Sequence, residues 1–242
     1  MTLSVLPTRR DEAWRYSDLE AVACIWPVPA PVGIEVAVGQ TATRHLIADG
    51  GIYDFVVTLG AGAHMDFHVL NAGAGYGRIA IDLTLHDGAH FEFGAVQVGG
   101  GDANLEIVTT VRHIEANATS NQVVRSVLGG SATGSYLGKV AVARDAQKTD
   151  SVQSVKAMLL SRTATANAKP ELEIYADDVK CAHGATVGEL DKTALFYLAA
   201  RGIPPEDAQT LLLQAFVSEV FAGAEARDVL EAAALDALGR LS

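Results

Sequence analysis

The sequence predicts a mainly β protein with helical ends, its short strands stacked as a β-helix. Three observations carry this. Apolar residues alternate with period two in short runs over residues 34–186, and Gly punctuates those runs. Residues 58–67 (TLGAGAHMDF) match residues 84–93 (TLHDGAHFEF) at an offset of 26 residues. Such a match is what stacked coils require, because equivalent side chains sit above one another and meet the same surroundings. The last fifty residues change to a helical period.

In chain order, residues 9–22 read as one short helix with Asp11 and Glu12 in its first turn and Trp14, Leu19 and Val22 on its apolar side. Tyr16 adds an amphipathic edge. The run 27–31 (PVPAP) stops that helix and forms a stiff connector. Strand-like runs follow at 52–59 (IYDFVVTL), 78–85 (RIAIDLTL), 90–93 (HFEF) and 104–111 (NLEIVTTV). The runs 121–128 and 139–143 fit further coils, although their match to the repeat has faded. Asp191 suits the N-cap of a helix over 192–200, and Gly202 with Pro204 and Pro205 ends it. A second helix starts at Pro205, with an apolar stripe of Ala208, Leu211, Leu212, Ala215, Phe216 and Val220. A third covers 225–241 through Ala226, Val229, Leu230, Ala233, Ala237 and Leu238. The expected organisation is an N-terminal helix and connector over 1–33, a β core over 34–188, and a helical module over 189–242.

Composition excludes several functions. The chain of 242 residues carries a formal charge of -11 with no basic cluster, which disfavours nucleic acid. Cys24 and Cys181 form neither a disulfide framework nor a zinc-finger pattern, which suits a reducing, cytoplasmic setting. No signal-peptide core and no membrane-length apolar run is visible. The run 73–77 (GAGYG) lacks the residues of a nucleotide-binding loop, and no nucleophile elbow occurs.

The chemistry concentrates in residues 175–191 (YADDVKCAHGATVGELD). Cys181 and His183 stand two apart, ahead of a glycine-flanked turn. On an extended backbone they share one face. Thiolate and imidazole are soft metal ligands, but a closed mononuclear site needs about four donors. Any metal here therefore needs donors from elsewhere. Packing accounts for the same residues, with Cys181 as a small apolar side chain and His183 hydrogen-bonded. Asp177 and Asp178 point to opposite faces of a strand, so they form no acid–base pair; one is expected to cap a turn or meet a cation. His64, His68 and His90 are a second metal candidate, and His64 and His90 occupy matched repeat positions. A rival reading is thus a cupin-like or β-helix enzyme acting on carbohydrate or a small molecule. The scarcity of aromatics counts against sugar stacking.

The carboxyl-terminal half resembles the SufB/SufD family of iron–sulfur cluster assembly proteins. The resemblance rests on 153–161 (QSVKAMLLS), 169–188 (KPELEIYADDVKCAHGATVG), 195–198 (LFYL), 201–204 (RGIP), and 12–17 (EAWRYS) near the start. The run CAHGATVG is closer to the SufD branch than to the SufB branch, where Glu follows the His. The resemblance implies a right-handed parallel β-helix with helical ends. It implies pairing with a SufB-like subunit, or with a second copy, through the β-helix, and docking of a SufC-like ABC ATPase by the C-terminal helices. It also implies a transient Fe–S cluster at the subunit junction, with His183 and its neighbour Cys181 contributing. The role expected is a non-catalytic scaffold; flavin involvement is left open. Family members often carry a longer helical region before the β pattern.

Overall fold

The structure is a computed structural model that describes residues 5–241. Its centre is two parallel six-stranded sheets, each rung supplying one strand to each. One sheet holds β1 (Val32–Val36), β3 (Gly51–Leu59), β5 (Tyr76–Leu85), β7 (Asn104–His113), β9 (Thr133–Val142) and β11 (Thr165–Ile174). The other holds β2 (Thr41–Ala48), β4 (His64–Asn71), β6 (His90–Gly99), β8 (Thr119–Leu128), β10 (Asp150–Leu159) and β12 (Lys180–Gly188). Odd strands pair only with odd and even only with even, so the chain winds as a β-solenoid.

The repeat is the stacking register. Thr58 pairs with Thr84, Leu59 with Leu85, His64 with His90, and Phe67 with Phe93. Further on, His90 pairs with Thr119, Thr119 with Asp150, and Asp150 with Lys180. The spacing thus drifts from 26 to 29, 31 and 30 residues, which is why the later coils lost their match to the repeat. The coil interior is apolar at its start, where Phe55, Met65, Phe67, Phe91 and Phe93 fill it.

The first helix is not continuous. Residues Glu12–Trp14 form a single 3-10 turn, and α1 runs Leu19–Cys24. Asp18 separates them: its extended backbone breaks the helix, and its side chain accepts from the amides of Glu20 and Ala21 to cap α1. This segment lies on the β5–β7 face. Trp14 and Val22 pack with Tyr76, and the Arg78 guanidinium sits 4.0 Å from the centroid of the Trp14 ring. Arg78 also pairs at 2.7 Å with Glu106, which accepts from the Ser17 hydroxyl at 2.9 Å.

The C-terminal helices are α2 (Lys192–Ala200), α3 (Pro205–Phe221) and α4 (Arg227–Gly239). Asp191 caps α2 through the Thr193 amide. α3 and α4 cover the outer face of the even sheet, burying Leu70, Val96 and Val127 under Leu213, Val217, Phe221 and Leu230. The buried stripe of α3 departs from the expected one. Ala208 and Val220 are buried and Phe216 packs half-buried against the same cluster, but Leu213, Val217 and Phe221 supply the rest of the buried face, Leu212 is only half-buried, and Leu211 and Ala215 are exposed. Leucines at 211, 212 and 213 give this helix apolar residues on more than one face, so the period alone could not choose among them. In α4, Val229 is exposed and Ala234 is buried.

Candidate functional site

β12 is the last strand of the even sheet and has a partner, β10, on one side only. Its register fixes where its side chains point. Cys181 pairs with Ser151, which pairs with Ser120; His183 pairs with Gln153, which pairs with Gln122. Those four partners are buried within the coil, so Cys181 and His183 face the coil interior too. No rung follows to cover them. Cys181 is half-buried against the interior cluster, whereas His183 is exposed. The turn expected after His183 does not form there: Gly184 lies inside β12, paired with Ser154.

Burial pushes the Cys181 thiol above its ordinary range, and the nearby Asp150 carboxylate adds to this, against a backbone hydrogen bond at Ser151. The group is therefore a neutral thiol near pH 7 until a cation arrives to displace its proton. The His183 ring makes no hydrogen bond to another described residue. Asp178 pairs with Lys148, as expected of a carboxylate that meets a cation.

The rung beneath is polar. Gln153 donates to the Tyr136 hydroxyl at 3.2 Å; that hydroxyl lies 3.2 Å from Gln122 Oε1 and 3.0 Å from Thr109 Oγ1. Thr109 also donates to Gln122 Oε1 at 2.8 Å. A second chain runs from His113 Nε2 through Ser120 to Ser151, at 3.0 and 2.8 Å. Tyr136 reaches this position because Gly138 lacks a Cβ, which would overlap the Tyr136 ring. These residues escaped the sequence reading. The available signal was the polar pair Ser151 and Gln153, placed two apart in β10 and in phase with the buried Val155.

His64, His68 and His90 do not converge as a set of three, although the first and last meet. His64 and His90 stack at 4.6 Å on the outer face, where His64 meets Asp66 at 2.9 Å and His90 meets Thr119 at 2.6 Å. His68 is buried beside Phe221 under the helices, and burial lowers its pKa against the pull of Asp66 and Glu92. Among the described residues no three His, Cys, Asp or Glu side chains are grouped to hold a metal ion. That holds for the Cys181–His183 pair as well, which is two donors short of a closed site.

Fold and site together define a class: a parallel β-solenoid whose final rung displays an unfinished pair of soft donors. The family described as SUF system FeS cluster assembly, SufBD core domain, matches residues 52–216, and the chain belongs to it. The chain is similar to the iron–sulfur cluster assembly protein SufD of Escherichia coli, at 39% identity over 112 residues, 46% of this chain and 26% of that protein. A SufBD family protein of Synechocystis, slr0076, is 38% identical over 112 residues, 46% of this chain and 25% of that one. The chloroplastic protein ABCI7 of Arabidopsis thaliana is 48% identical over 94 residues, covering 38% and 20%. The chain thus spans about a quarter of the length of these relatives. No helix among the described residues is long and apolar enough to cross a membrane.

Proposed function

We propose that this chain is a non-catalytic scaffold subunit of iron–sulfur cluster assembly. It pairs with a SufB-like subunit and a SufC-like ABC ATPase in the cytoplasm. The cluster is cargo, held transiently at the subunit junction by His183, with Cys181 beside it, and completed by donors of the partner chain. One observation carries the reading: the inward-facing thiol and imidazole stand on an uncovered terminal rung, within a family dedicated to cluster assembly. Thiolate and imidazole suit iron.

Two features support the partner assignments. The free edge of β12 offers unpaired backbone groups to another chain. α2 has no buried residue although it is mostly apolar, and Phe196 and Tyr197 are 75% and 57% exposed. Ala194, Leu195 and Leu198 are half-covered, whereas Phe196 and Tyr197 are left facing outward, which fits a docking element for the ATPase.

The test is co-expression with both partners, followed by anaerobic iron and sulfide analysis. His183→Ala is expected to lose most of the bound iron and sulfide, and Cys181→Ser to lose less. Full loading in both variants would remove the proposed site.

A further inference from the structure

We infer that Gln153 is a positioning residue for His183, an inference that rests on the scaffold reading above for its purpose. Gln153 lies directly beneath His183 in register, one strand away. Parallel strands stack about 4.8 Å apart, and equal side chains on successive rungs lie one above the other. That spacing brings the tip of a glutamine side chain within hydrogen-bond reach of an imidazole on the next rung.

Three observations single out this amide. Gln153 is 1% exposed, yet its Oε1 has no hydrogen-bond partner. Leaving a buried carbonyl oxygen unpaired costs about 1–3 kcal/mol, so a fold that retains one there gains from a donor that reaches it. Its orientation is also set, because its Nε2 donates to the Tyr136 hydroxyl, itself held by Thr109 and Gln122. Finally, His183 has no hydrogen bond to another described residue, so a ring N–H is available. The neighbouring Gln122 Nε2 is also without a partner and is the competing donor for Gln153 Oε1. Gln122 lies one rung deeper, on the side of β10 away from the mouth.

The two side chains are not bonded in the structure; once the exposed His183 ring turns onto Gln153 Oε1, that contact does for a ligating histidine what an outer hydrogen bond commonly does. It fixes which ring nitrogen carries the proton and leaves the other free to meet iron. Thr109, Gln122, Tyr136 and Gln153 then form a rigid floor under a ring that is otherwise free to turn. No chemical step is involved, and the glutamine touches neither iron nor sulfide.

The test reads the ring itself. The full chain is labelled with 15N-histidine, and His183 is assigned by comparison with His183→Ala. Long-range 1H–15N spectra, taken at a pH above histidine's titration range, report the neutral tautomer. The wild type is expected to show one tautomer at His183. Gln153→Leu should show the two-tautomer average of a solvated imidazole, and Gln153→Glu should keep a single form. Tyr136→Phe loosens the amide without changing the rung and should also mix the tautomers, which covers failure of the leucine variant to fold. A tautomer average in the wild type, or a wild-type spectrum in folded Gln153→Leu, would overturn the assignment.

Iron retention by the co-expressed complex separates this from the functional reading. Retention roughly 10-fold weaker in Gln153→Leu accords with the usual effect of an outer-shell partner. Full retention in His183→Ala alongside a tautomer change in Gln153→Leu would sink the scaffold reading and uphold the hydrogen bond. Iron lost in His183→Ala, with tautomer and iron both unchanged in Gln153→Leu, would sink the positioning role alone.

Discussion

Buried polar residues give this molecule its sharpest measurable properties. Glu106 and Arg78 are both almost fully buried, and they tie the N-terminal segment to β5 and β7 through Ser17 and the backbone of Ala13. Glu106→Ala leaves a guanidinium buried without its counter-ion, so a loss of about 3–5 kcal/mol is expected in denaturant unfolding. His113 is wholly buried, and burial lowers its pKa to about 4. Between its unfolded value near 6.5 and 4 the unfolded chain binds a proton that the folded chain does not. Stability therefore falls as pH drops through that window, by up to about 3 kcal/mol at its lower end. Comparing the wild type with His113→Asn isolates this, because the half-buried Asp54 and buried Glu106 carboxylates are common to both proteins. A difference between them that is flat from pH 7 to 4 would refute the assignment. The pair Cys181 and His183 was legible in the sequence because its spacing of two fixes a shared face on any strand. The inward direction of that face was not legible, because it depends on the register with Ser151 and Gln153.

Elements fared according to how much their own sequence decides. The helix at 192–200 was readable from Asp191, Gly202 and the two prolines, since caps and breakers act locally. The early strands were readable from alternation. The N-terminal helix was not, because the periodic spacing of Trp14, Leu19 and Val22 hid the break at Asp18. The stripe of α3 was legible only at Ala208, Phe216 and Val220, because the face that packs is chosen by the even sheet beneath it and by the close approach at Gly94, where a Cβ would come within 2.9 Å of the Val220 carbonyl oxygen. α2 differs from its neighbours in having no fully buried residue. The double variant Phe196→Ser and Tyr197→Ser is expected to lose co-purification with the proposed ATPase partner while stability changes by less than about 0.5 kcal/mol. Pull-down and thermal unfolding of the same preparation check both halves. Removing α3 and α4 as well would be a poorer test, because it uncovers Leu70, Val96 and Val127.

The whole molecule is a stack with a chemical gradient. Its first coils enclose phenylalanines, and its later coils enclose Thr109, His113, Ser120, Gln122, Ser151 and Gln153. Polar groups inside a solenoid are tolerated when they pair with one another, and here they rise toward the open rung that carries His183. The sequence revealed the stacking through one matched pair of coils and concealed the rest through the drift in spacing. The gradient was hidden for the same reason, since a polar residue is recognised as internal only after its coil is aligned. In the proposed scaffold, His183 donates to iron only when a second chain completes the site. Electron–nuclear double resonance on the reduced cluster of the co-expressed complex, with 15N-histidine in this chain alone, reads that ligation. A 15N coupling from one histidine is expected, and it should disappear in His183→Ala. A cluster with no nitrogen coupling from this chain, or one that persists in the variant, would contradict it.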